Sequence, residues 1–475
     1  MRPACDPTPH EGTTRVLSSI FEMAGASRRV IVVGGGVAGA SITRELAKAG
    51  CAVTLLERSN QLCSGATWHA AGLVTRFGGS SKLKKLHVRS MDLLEEMHLK
   101  HDVGLHLTGS IRLVDRGDDA RVLEARRHFE LAKLYDVEAH PTRLLSAEEC
   151  GEMHPLVDAS TLALGLYTPH DGDVCPNLLT YALAKEAKEA GAAIVFDADV
   201  SSLERVGANQ FHLETTDGQA YEAEAVVNCC GLWSQTLSSQ MGLEKTHPAF
   251  VIEHHYAVTE PIAALRDLRA SGGRVPVLRD LKSSCYLRQE QDGILVGPYE
   301  RLPGDAVHDE WGRGGPPKSW AWDLFPDNVD RLEDVLLSAI DTVPALGDVG
   351  FASVVNGPTI WAPDALPRCG RTEIPGYYDF NTLTYGIAHS MPLAEYLRDV
   401  MLTGEQPYDL SNECDPLRSG QRKGAKVANF KGSYLGRFPL ASADVSTSDH
   451  LSERSRSMSV VSRTRARGTA KLKRR

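Results

Sequence analysis

The chain has 475 residues, 42% hydrophobic and 24% charged, which is the composition of an ordinary globular protein and not of a fibrous or fully disordered one. Its formal charge of −9 is uneven, because residues 417–475 hold 15 Lys and Arg against 3 Asp and Glu, a net +12 that leaves −21 on the rest. So acidic a body argues against nucleic-acid binding, and the lack of an apolar run of about 18 residues argues against a membrane span.

The two ends differ in composition from the body. Residues 1–28 have scattered arginines, as a mitochondrial presequence does, but also Asp6, Glu11 and Glu22, which such presequences avoid. Residues 417–475 are rich in Ser, Arg and Lys and poor in apolar residues, and they predict a basic disordered tail.

The first predicted elements form a βαβ unit. Residues 30–33 (VIVV) are a β-branched run typical of a buried parallel strand. Residues 40–49 suit a helix that ends at Gly50, and residues 52–56 predict a second strand.

The turn between the first strand and the helix has GxGxxG spacing, with Gly34, Gly36 and Gly39. The glycines permit a tight turn, a close approach of a pyrophosphate to the backbone, and close packing of helix on strand. Glu57 follows the second strand, where an acid binds the ribose hydroxyls. The unit therefore predicts dinucleotide binding at a helix N-terminus. The spacing alone does not separate FAD from NAD, but with no second glycine fingerprint a single flavin is favoured.

Further along the chain, residues 176–192 predict an amphipathic helix, and residues 193–196, 200–203, 211–215 and 225–227 predict short strands. The segments HHYAVT, CYLRQE and GILVGP are typical of an antiparallel sheet, and residues 327–340 predict a helix.

A longer motif, ERSNQLCSGATWHAAGLVTRFGG, begins at Glu57 and resembles the dimethylglycine and sarcosine dehydrogenase family, within the FAD-dependent amino-acid and amine oxidoreductases. The resemblance continues in order through LTGSIRLVD, GLYTPHDGDVCP, VVNCCGLWS, VIEHHYAVTEP and VVNGPTIWAPDALP, and it covers residues 29–416. The folate-binding region that many members carry at the C-terminus does not follow Pro416.

The resemblance implies that FAD is the cofactor and that the histidine of TWHAAGL, here His69, joins it covalently through the 8α-methyl group. Small residues after the histidine would let the loop lie flat against the ring. The residues expected to contact FAD are Gly34, Gly35, Gly36, Val37, Ala38, Gly39, Glu57, Arg58, Gly65, Ala66, Thr67, Trp68, His69, Ala70, Ala71, Gly72, Leu73, Val200, Gly231, Trp233, Thr384, Tyr385, Gly386 and Ile387.

The implied reaction is oxidation of an N-methylated glycine such as dimethylglycine or sarcosine, with a hydride passing from the carbon beside nitrogen to flavin N5. Tyr256 matches a tyrosine of the family's active-site sheet. Tyr286 and Arg288 have the i, i+2 spacing that puts both on one strand face, and Arg288 suits bidentate binding of a substrate carboxylate. His254 and His255 alternate across the sheet, so only one of them can face a cavity.

Three alternatives stay open at this point. The electron acceptor is an electron-transfer flavoprotein in the family's dehydrogenases, whereas an oxidase would use oxygen. The regulatory subunit of pyruvate dehydrogenase phosphatase resembles the same family without catalysis, but it lacks the TWHAAGL histidine, so His69 favours an enzyme. Family members suggest the mitochondrial matrix, and the acids in residues 1–28 leave a cytoplasmic location open.

One segment departs from the family. Near the C-terminal helix, FNTLTYGIAHSMPLAEYL keeps Tyr385 and Gly386. Positions where the family has glycines carry Thr382, Thr384, Ser390, Met391 and Pro392. We expect these side chains to occupy space near the flavin, while backbone amides of residues 384–387 still contact the ring.

The predicted fold class is α/β, with a Rossmann-like FAD-binding domain interleaved with an α+β antiparallel-sheet substrate domain. The FAD-binding domain is predicted to comprise residues 29–95, 160–247 and 346–416. The substrate domain is predicted to comprise residues 96–159 and 248–345. We expect no metal and no nucleic-acid partner.

Overall fold

The computed structural model describes residues 27–76, 81–134, 141–299 and 307–418. The predicted N-terminal extension and basic tail lie outside these residues except for 27, 28, 417 and 418. Among the described residues, no helix has the length and apolar character needed to cross a membrane.

The helices of the described residues, in chain order, are α1 Val37–Lys48, α2 Ser81–His101, α3 Asp119–Ala132, α4 Ala147–Met153, α5 Pro176–Glu189, α6 Ser234–Gln240, α7 Ala263–Ala270, α8 Asp309–Gly314, α9 Asp330–Thr342 and α10 Gly386–Leu402. The strands are β1 Arg29–Val33, β2 Ala52–Leu56, β3 Leu73–Val74, β4 Ser110–Asp115, β5 Arg143–Leu145, β6 Leu162–Thr168, β7 Gly172–Asp173, β8 Ala193–Val195, β9 Val200–Gly207, β10 Gln210–Thr215, β11 Ala220–Ala223, β12 Ala225–Asn228, β13 Phe250–Thr259, β14 Val277–Asp280, β15 Cys285–Glu290, β16 Gly293–Pro298, β17 Val307–His308, β18 Phe351–Trp361, β19 Arg368–Arg371 and β20 Tyr377–Asn381.

A six-stranded sheet in the order β19-β20-β12-β1-β2-β8 carries the glycine turn. Its strands are parallel except for β19, which pairs antiparallel with β20. The β-branched run of β1 is buried at its centre because α1 and α10 pack their apolar residues against it. The predicted βαβ unit is confirmed. The meander β9–β11 forms a separate three-stranded antiparallel sheet.

A nine-stranded sheet has the order β17-β13-β16-β15-β14-β4-β6-β5, with β18 also paired to β13. All its pairs are antiparallel except β4 with β14. β6 and β18 lie in segments predicted to belong to the FAD-binding domain, and they pair inside this sheet. Sheet membership depends on long-range strand pairing, which local periodicity does not reveal, and the predicted domain boundaries stay a prediction.

A buried polar network fastens the end of the parallel sheet to the start of β13. Asp379 accepts a hydrogen bond from His247 Nδ1 at 2.6 Å, and Arg368 donates to the carbonyl of His247 at 2.9 Å. Asn381 and Asn228 donate to the same carboxylate. Burial alone would raise the pKa of Asp379, but the hydrogen bond and charge of His247 and the charge of Arg368 outweigh it and hold the pKa below its usual value. The network therefore keeps a charged carboxylate inside the core.

Candidate active site

The glycine turn lies at the carboxyl end of β1. Gly34 has φ +108, and a Cβ added to it would lie 2.4 Å from the Cys229 carbonyl oxygen. A Cβ on Gly39 would lie 1.8 Å from the carbonyl oxygen of Gly34. Only glycine satisfies both positions, so the tight turn and the close helix packing expected from the spacing are both present.

The loop of the TWHAAGL motif lies directly against this turn. Thr67 Oγ1 accepts the Val37 N–H at 3.2 Å, and a Cβ on Gly36 would lie 3.0 Å from the same oxygen. The N-terminus of α1 has no side-chain cap at Gly36. Because this terminus carries a partial positive charge, the space beside Thr67 suits a phosphate.

Glu57 lies at the end of β2 and is only 4% exposed. It accepts hydrogen bonds from the Gly35 N–H at 2.6 Å, the Ser59 N–H at 2.9 Å and the Ser64 hydroxyl at 3.1 Å. Burial raises the pKa of Glu57 despite these bonds. A carboxylate offers about four acceptor positions, so Glu57 holds the turn and retains capacity for a ribose hydroxyl.

Arg58 and Trp233 form the neighbouring wall. The Arg58 guanidinium lies 4.5 Å from the Trp233 ring centroid, and a Cβ on Gly65 would lie 3.6 Å from the same ring. Gly231 starts the short 3₁₀ helix that carries Trp233. Val200 begins β9 and follows Asp199, whose Oδ1 lies 3.9 Å from Arg58 Nε. The structure thus brings Arg58, Gly65 and Trp233, three of the residues predicted to contact FAD, close to one another.

His69 lies at the other end of the loop and is 6% exposed. Its ring rests on the backbone of Gly357 in β18, where an added Cβ would lie 2.3 Å from Cε1 and Nδ1. Its Nε2 has no hydrogen-bond partner among the described residues. Desolvation, with a smaller contribution from the charge of His254, lowers the pKa of His69 to about 4. The imidazole is therefore neutral at pH 7.

The rest of the motif is held by backbone pairing. Gly72 has φ +72, and a Cβ on it would lie 2.3 Å from the Val174 carbonyl oxygen. Leu73 lies in β3, which pairs with β7. The close approach of the Val174 carbonyl therefore explains why position 72 requires glycine.

The catalytic candidates lie on one face of the nine-stranded sheet. Tyr286 pairs with Gly297, and a Cβ on that glycine would lie 2.1 Å from Tyr286 Cζ, so the phenol ring lies flat over it. Tyr286 Oη lies 3.3 Å from His254 Nε2. His254 in turn pairs with Gly357, the residue beneath His69. This face of the sheet therefore meets the TWHAAGL loop at His69.

Tyr256 shares this face, two residues after His254. Desolvation raises the pKa of Tyr256 to about 12, although the charge of Arg288 opposes the shift. The hydroxyl therefore stays protonated and is available as a donor. His255, on the opposite face, is fully buried.

Arg288 contacts the TWHAAGL loop and two carboxylates, and its role in binding a substrate carboxylate stays a prediction. Its Nε donates to the Ala71 carbonyl at 2.8 Å, and Nη1 lies 2.7 Å from Glu290 and 3.8 Å from Asp173. The guanidinium thus fastens the TWHAAGL loop to the sheet and is balanced by two carboxylates. The sequence showed the strand face of Arg288 but not these partners, because Ala71 and Asp173 are distant in the chain.

The segment that departs from the family lies over the start of α1. Gly386 begins α10, and a Cβ on it would lie 3.6 Å from Val37 Cγ1. Thr382 has φ +52, a conformation that favours glycine, and its hydroxyl and that of Thr384 have no partner among the described residues. Met391 packs in the apolar cluster with Val37.

Two residues in contact with the predicted site residues were not predicted from the sequence. His254 was left out of the catalytic set, although alternation from Tyr256 places it on the same face. Trp322, from the segment before α9, contacts Trp68 with ring centroids 5.6 Å apart. The sequence contains no local signal that brings residue 322 to residue 68.

Three comparisons bear on this arrangement. The sequence profile of the family described as FAD dependent oxidoreductase, DAO, matches residues 29–400. Dimethylglycine dehydrogenase, mitochondrial, of Homo sapiens is 37% identical over 397 residues, which cover 82% of this chain and 44% of that protein. Sarcosine dehydrogenase, mitochondrial, of Homo sapiens is 30% identical over 380 residues, 78% of this chain and 39% of that protein. The chain spans less than half the length of these curated relatives.

A solved structure supports the fold. The crystal structure of L-proline dehydrogenase from P. horikoshii has a TM-score of 0.70 and 23% identity, and the match covers 82% of this chain and 97% of that one. This likeness confirms the predicted α/β fold class. The profile match over residues 29–400, which include the glycine turn, the TWHAAGL loop and the sheet face, establishes that the chain belongs to the DAO family of FAD dependent oxidoreductases.

Proposed function

We propose that this chain holds FAD covalently through His69 and oxidises an N-methylated glycine-type amino acid such as dimethylglycine or sarcosine. The observation that carries the proposal is the position of His69. The loop that carries His69 contacts the glycine turn of the parallel sheet through Thr67, and the His69 ring lies on Gly357, which pairs with His254 of the antiparallel sheet. The loop at the glycine turn and a face of candidate catalytic side chains are thus joined at His69.

The residues present fit FAD. The glycine turn leaves backbone space beside the N-terminus of α1, and Glu57 has acceptor capacity for a ribose hydroxyl. Four buried polar atoms in or beside the segments expected to contact FAD have no partner among the described residues, namely Trp68 Nε1, His69 Nε2, Thr382 Oγ1 and Thr384 Oγ1. Such atoms in a folded protein call for a ligand or ordered water. FAD, when bound, supplies a two-electron acceptor for the hydride that leaves the substrate carbon beside nitrogen.

His69 suits covalent attachment because it is neutral. With its pKa lowered to about 4, the ring keeps a nitrogen lone pair at pH 7. Nε2 has no hydrogen-bond partner among the described residues, so it would be the nitrogen that forms the bond.

The amine must be unprotonated to react, and the His254–Tyr286 pair can meet this requirement. His254 Nε2 and Tyr286 Oη lie 3.3 Å apart, within hydrogen-bond reach. His254 Nε2 is the atom that would receive the ammonium proton. Tyr256, which remains a protonated hydroxyl, would donate to the substrate carboxylate, while Arg288 holds the loop that carries His69.

The test begins with purified chain. After acid precipitation the flavin should remain with the protein, and mass spectrometry should find FAD on the peptide that contains His69. Dimethylglycine or sarcosine should bleach the flavin spectrum under anaerobic conditions. Yellow colour wholly in the supernatant would refute the covalent bond, and a spectrum unchanged by every N-methylated amino acid would refute the substrate class.

The proposed base has its own test. His254→Gln should slow anaerobic flavin reduction by about 10²–10⁴-fold, because it removes the group that accepts the ammonium proton. His212→Gln is the matched control, since His212 lies on β10 against Glu222 and Glu214, away from the sheet face. Equal rates for the two variants would remove His254 from the mechanism.

The acceptor and the compartment are also proposals. We propose an electron-transfer flavoprotein as acceptor and the mitochondrial matrix as compartment; the names of the similar proteins support a dehydrogenase and a mitochondrial location. Stopped-flow mixing of the reduced protein with air separates the two acceptors, because an oxidase reoxidises within its turnover time and a dehydrogenase does not.

A further inference from the structure

Residues 316–325, which we call the strap, lie across the loop that follows Glu57. The Trp322 N–H donates to the Ser64 carbonyl at 3.0 Å, and the Trp233 indole donates to the Pro316 carbonyl at 3.3 Å. Arg58 donates to the Lys318 carbonyl at 2.5 Å. The strap is thus bonded to two residues of the predicted FAD wall and to a third that adjoins it.

The backbone of Trp322 is in a disfavoured conformation. Its φ of +60 lies in the left-handed region, which a bulky residue rarely adopts. Such strain persists only where surrounding contacts impose it, and it clusters at ligand clamps and active sites. The strained backbone of the strap is thus at the residue whose side chain packs beside Trp68.

The indole of Trp322 lies beside that of Trp68, with ring centroids 5.6 Å apart, and Trp68 meets His69 edge to face at 5.4 Å. Both indole Nε1 atoms are buried and have no hydrogen-bond partner among the described residues. An indole N–H can only donate, and a buried donor without an acceptor is costly. Two such donors on neighbouring rings point to a ligand that offers acceptor atoms beside this pair of indoles.

The position of Trp68 in the TWHAAGL loop indicates which ligand would offer these acceptors. Thr67 contacts the glycine turn, where the pyrophosphate is expected, and His69 marks the proposed attachment of the ring. Trp68 lies between these two residues in the chain. The middle of FAD, with its phosphate and ribityl oxygens, is rich in acceptors.

We infer that Trp322 is a cofactor-binding residue of the strap and that the strap closes over FAD, with the Trp322 and Trp68 indoles donating to its central oxygens. The inference rests on the proposed FAD site and adds to it a residue from outside the βαβ unit. It also explains why the strap forms hydrogen bonds with Arg58, Ser64 and Trp233.

The test uses the His69→Ser chain, in which FAD binding is reversible, and measures the Kd of FAD by flavin fluorescence. Adding Trp322→Phe keeps an aromatic ring and removes the N–H, so the Kd should rise about tenfold. Trp320→Phe is the matched control. It lies on the same strap with its ring 4.7 Å from Trp311, and its Kd should stay within twofold. A Kd within twofold for Trp322→Phe as well would overturn the inference.

Hydrogen–deuterium exchange gives a second readout that needs no strap variant. In the His69→Ser chain, FAD should slow exchange of the backbone amides of residues 318–325. Unchanged exchange at saturating FAD would overturn the inference even if Trp322→Phe does not fold. A chain that binds FAD but oxidises no N-methylated amino acid would refute the proposed substrate class and leave the strap inference standing, whereas a chain that binds no FAD would refute both.

Discussion

Gly357 lies directly beneath the imidazole of His69, and Gly357→Ala is the perturbation that tests the site geometry most directly. A Cβ at this position would lie 2.3 Å from both Cε1 and Nδ1, whereas ordinary contact begins at 3.4 Å. The ring would therefore have to move by roughly 1 Å. The alternative, a shift of β18, would disturb its pairing with β13 along ten residues.

The expected effect follows from that displacement. Misplacing a reacting group by about 1 Å can cost about 10²-fold in rate, and overpacking a well-packed site costs about 1–3 kcal/mol of stability. We therefore expect Gly357→Ala to lower the fraction of covalently bound flavin and to lower kcat for dimethylglycine by about 10²-fold. The protein should remain folded, with a modest fall in Tm.

The assay compares acid-stable flavin content, kcat and Tm with those of Gly314→Ala. A Cβ at Gly314, at the end of α8, meets nothing within 4 Å, so this control should match the wild type. If Gly357→Ala incorporated flavin fully and turned over normally, His69 would not be the group whose position matters, and the reasoning from its contact with β18 would be refuted.

The remaining predictions concern stability. Asp379→Ala should lower the free energy of unfolding by about 3–5 kcal/mol, because it removes the buried carboxylate beside His247 and Arg368. Urea unfolding measures this loss, with Asp217→Ala at an exposed position as the control. A difference of less than about 1 kcal/mol between the two variants would contradict the prediction. Thr382→Gly should leave the urea midpoint unchanged or raise it, because a φ of +52 strains threonine. Thr180→Gly, inside α5, should instead lower the free energy of unfolding by about 1 kcal/mol or more. Equal losses of stability in the two variants would exclude strain at Thr382. His154 is buried, and desolvation lowers its pKa from 6.5 to about 4, so the folded chain binds fewer protons than the unfolded one in that window. The stability that neutral His154 contributes is complete above pH 6.5 and is lost as the pH falls towards 4. The free energy of unfolding should fall by about 1 kcal/mol between pH 7 and 5.5 for this reason. His154→Leu should reduce the acid loss by that amount, and an unchanged pH profile of Tm would contradict the assignment.

The sequence alone was enough for features that depend on neighbouring residues. The order of strand, glycine turn, helix, strand and Glu57 is local, since each steric need is set within a few residues, as the 1.8 Å approach of a Cβ on Gly39 to Gly34 shows. Alternation along β13 and β15 likewise placed Tyr256, Tyr286 and Arg288 on their faces. The resemblance added His69, whose local surroundings say nothing of a cofactor.

Only the tertiary structure decided which of these side chains work together. Arg288 is predicted to bind a substrate carboxylate, and the structure adds its contacts with Ala71, Asp173 and Glu290, of which the first two come from segments more than 100 residues away. His254 joins Tyr286 across two strands, and Trp322 reaches Trp68 through a strap that no periodicity marks. Local sequence fixes backbone conformation through short-range sterics, whereas the partners of a side chain depend on how distant strands pair and pack, which is a property of the whole chain.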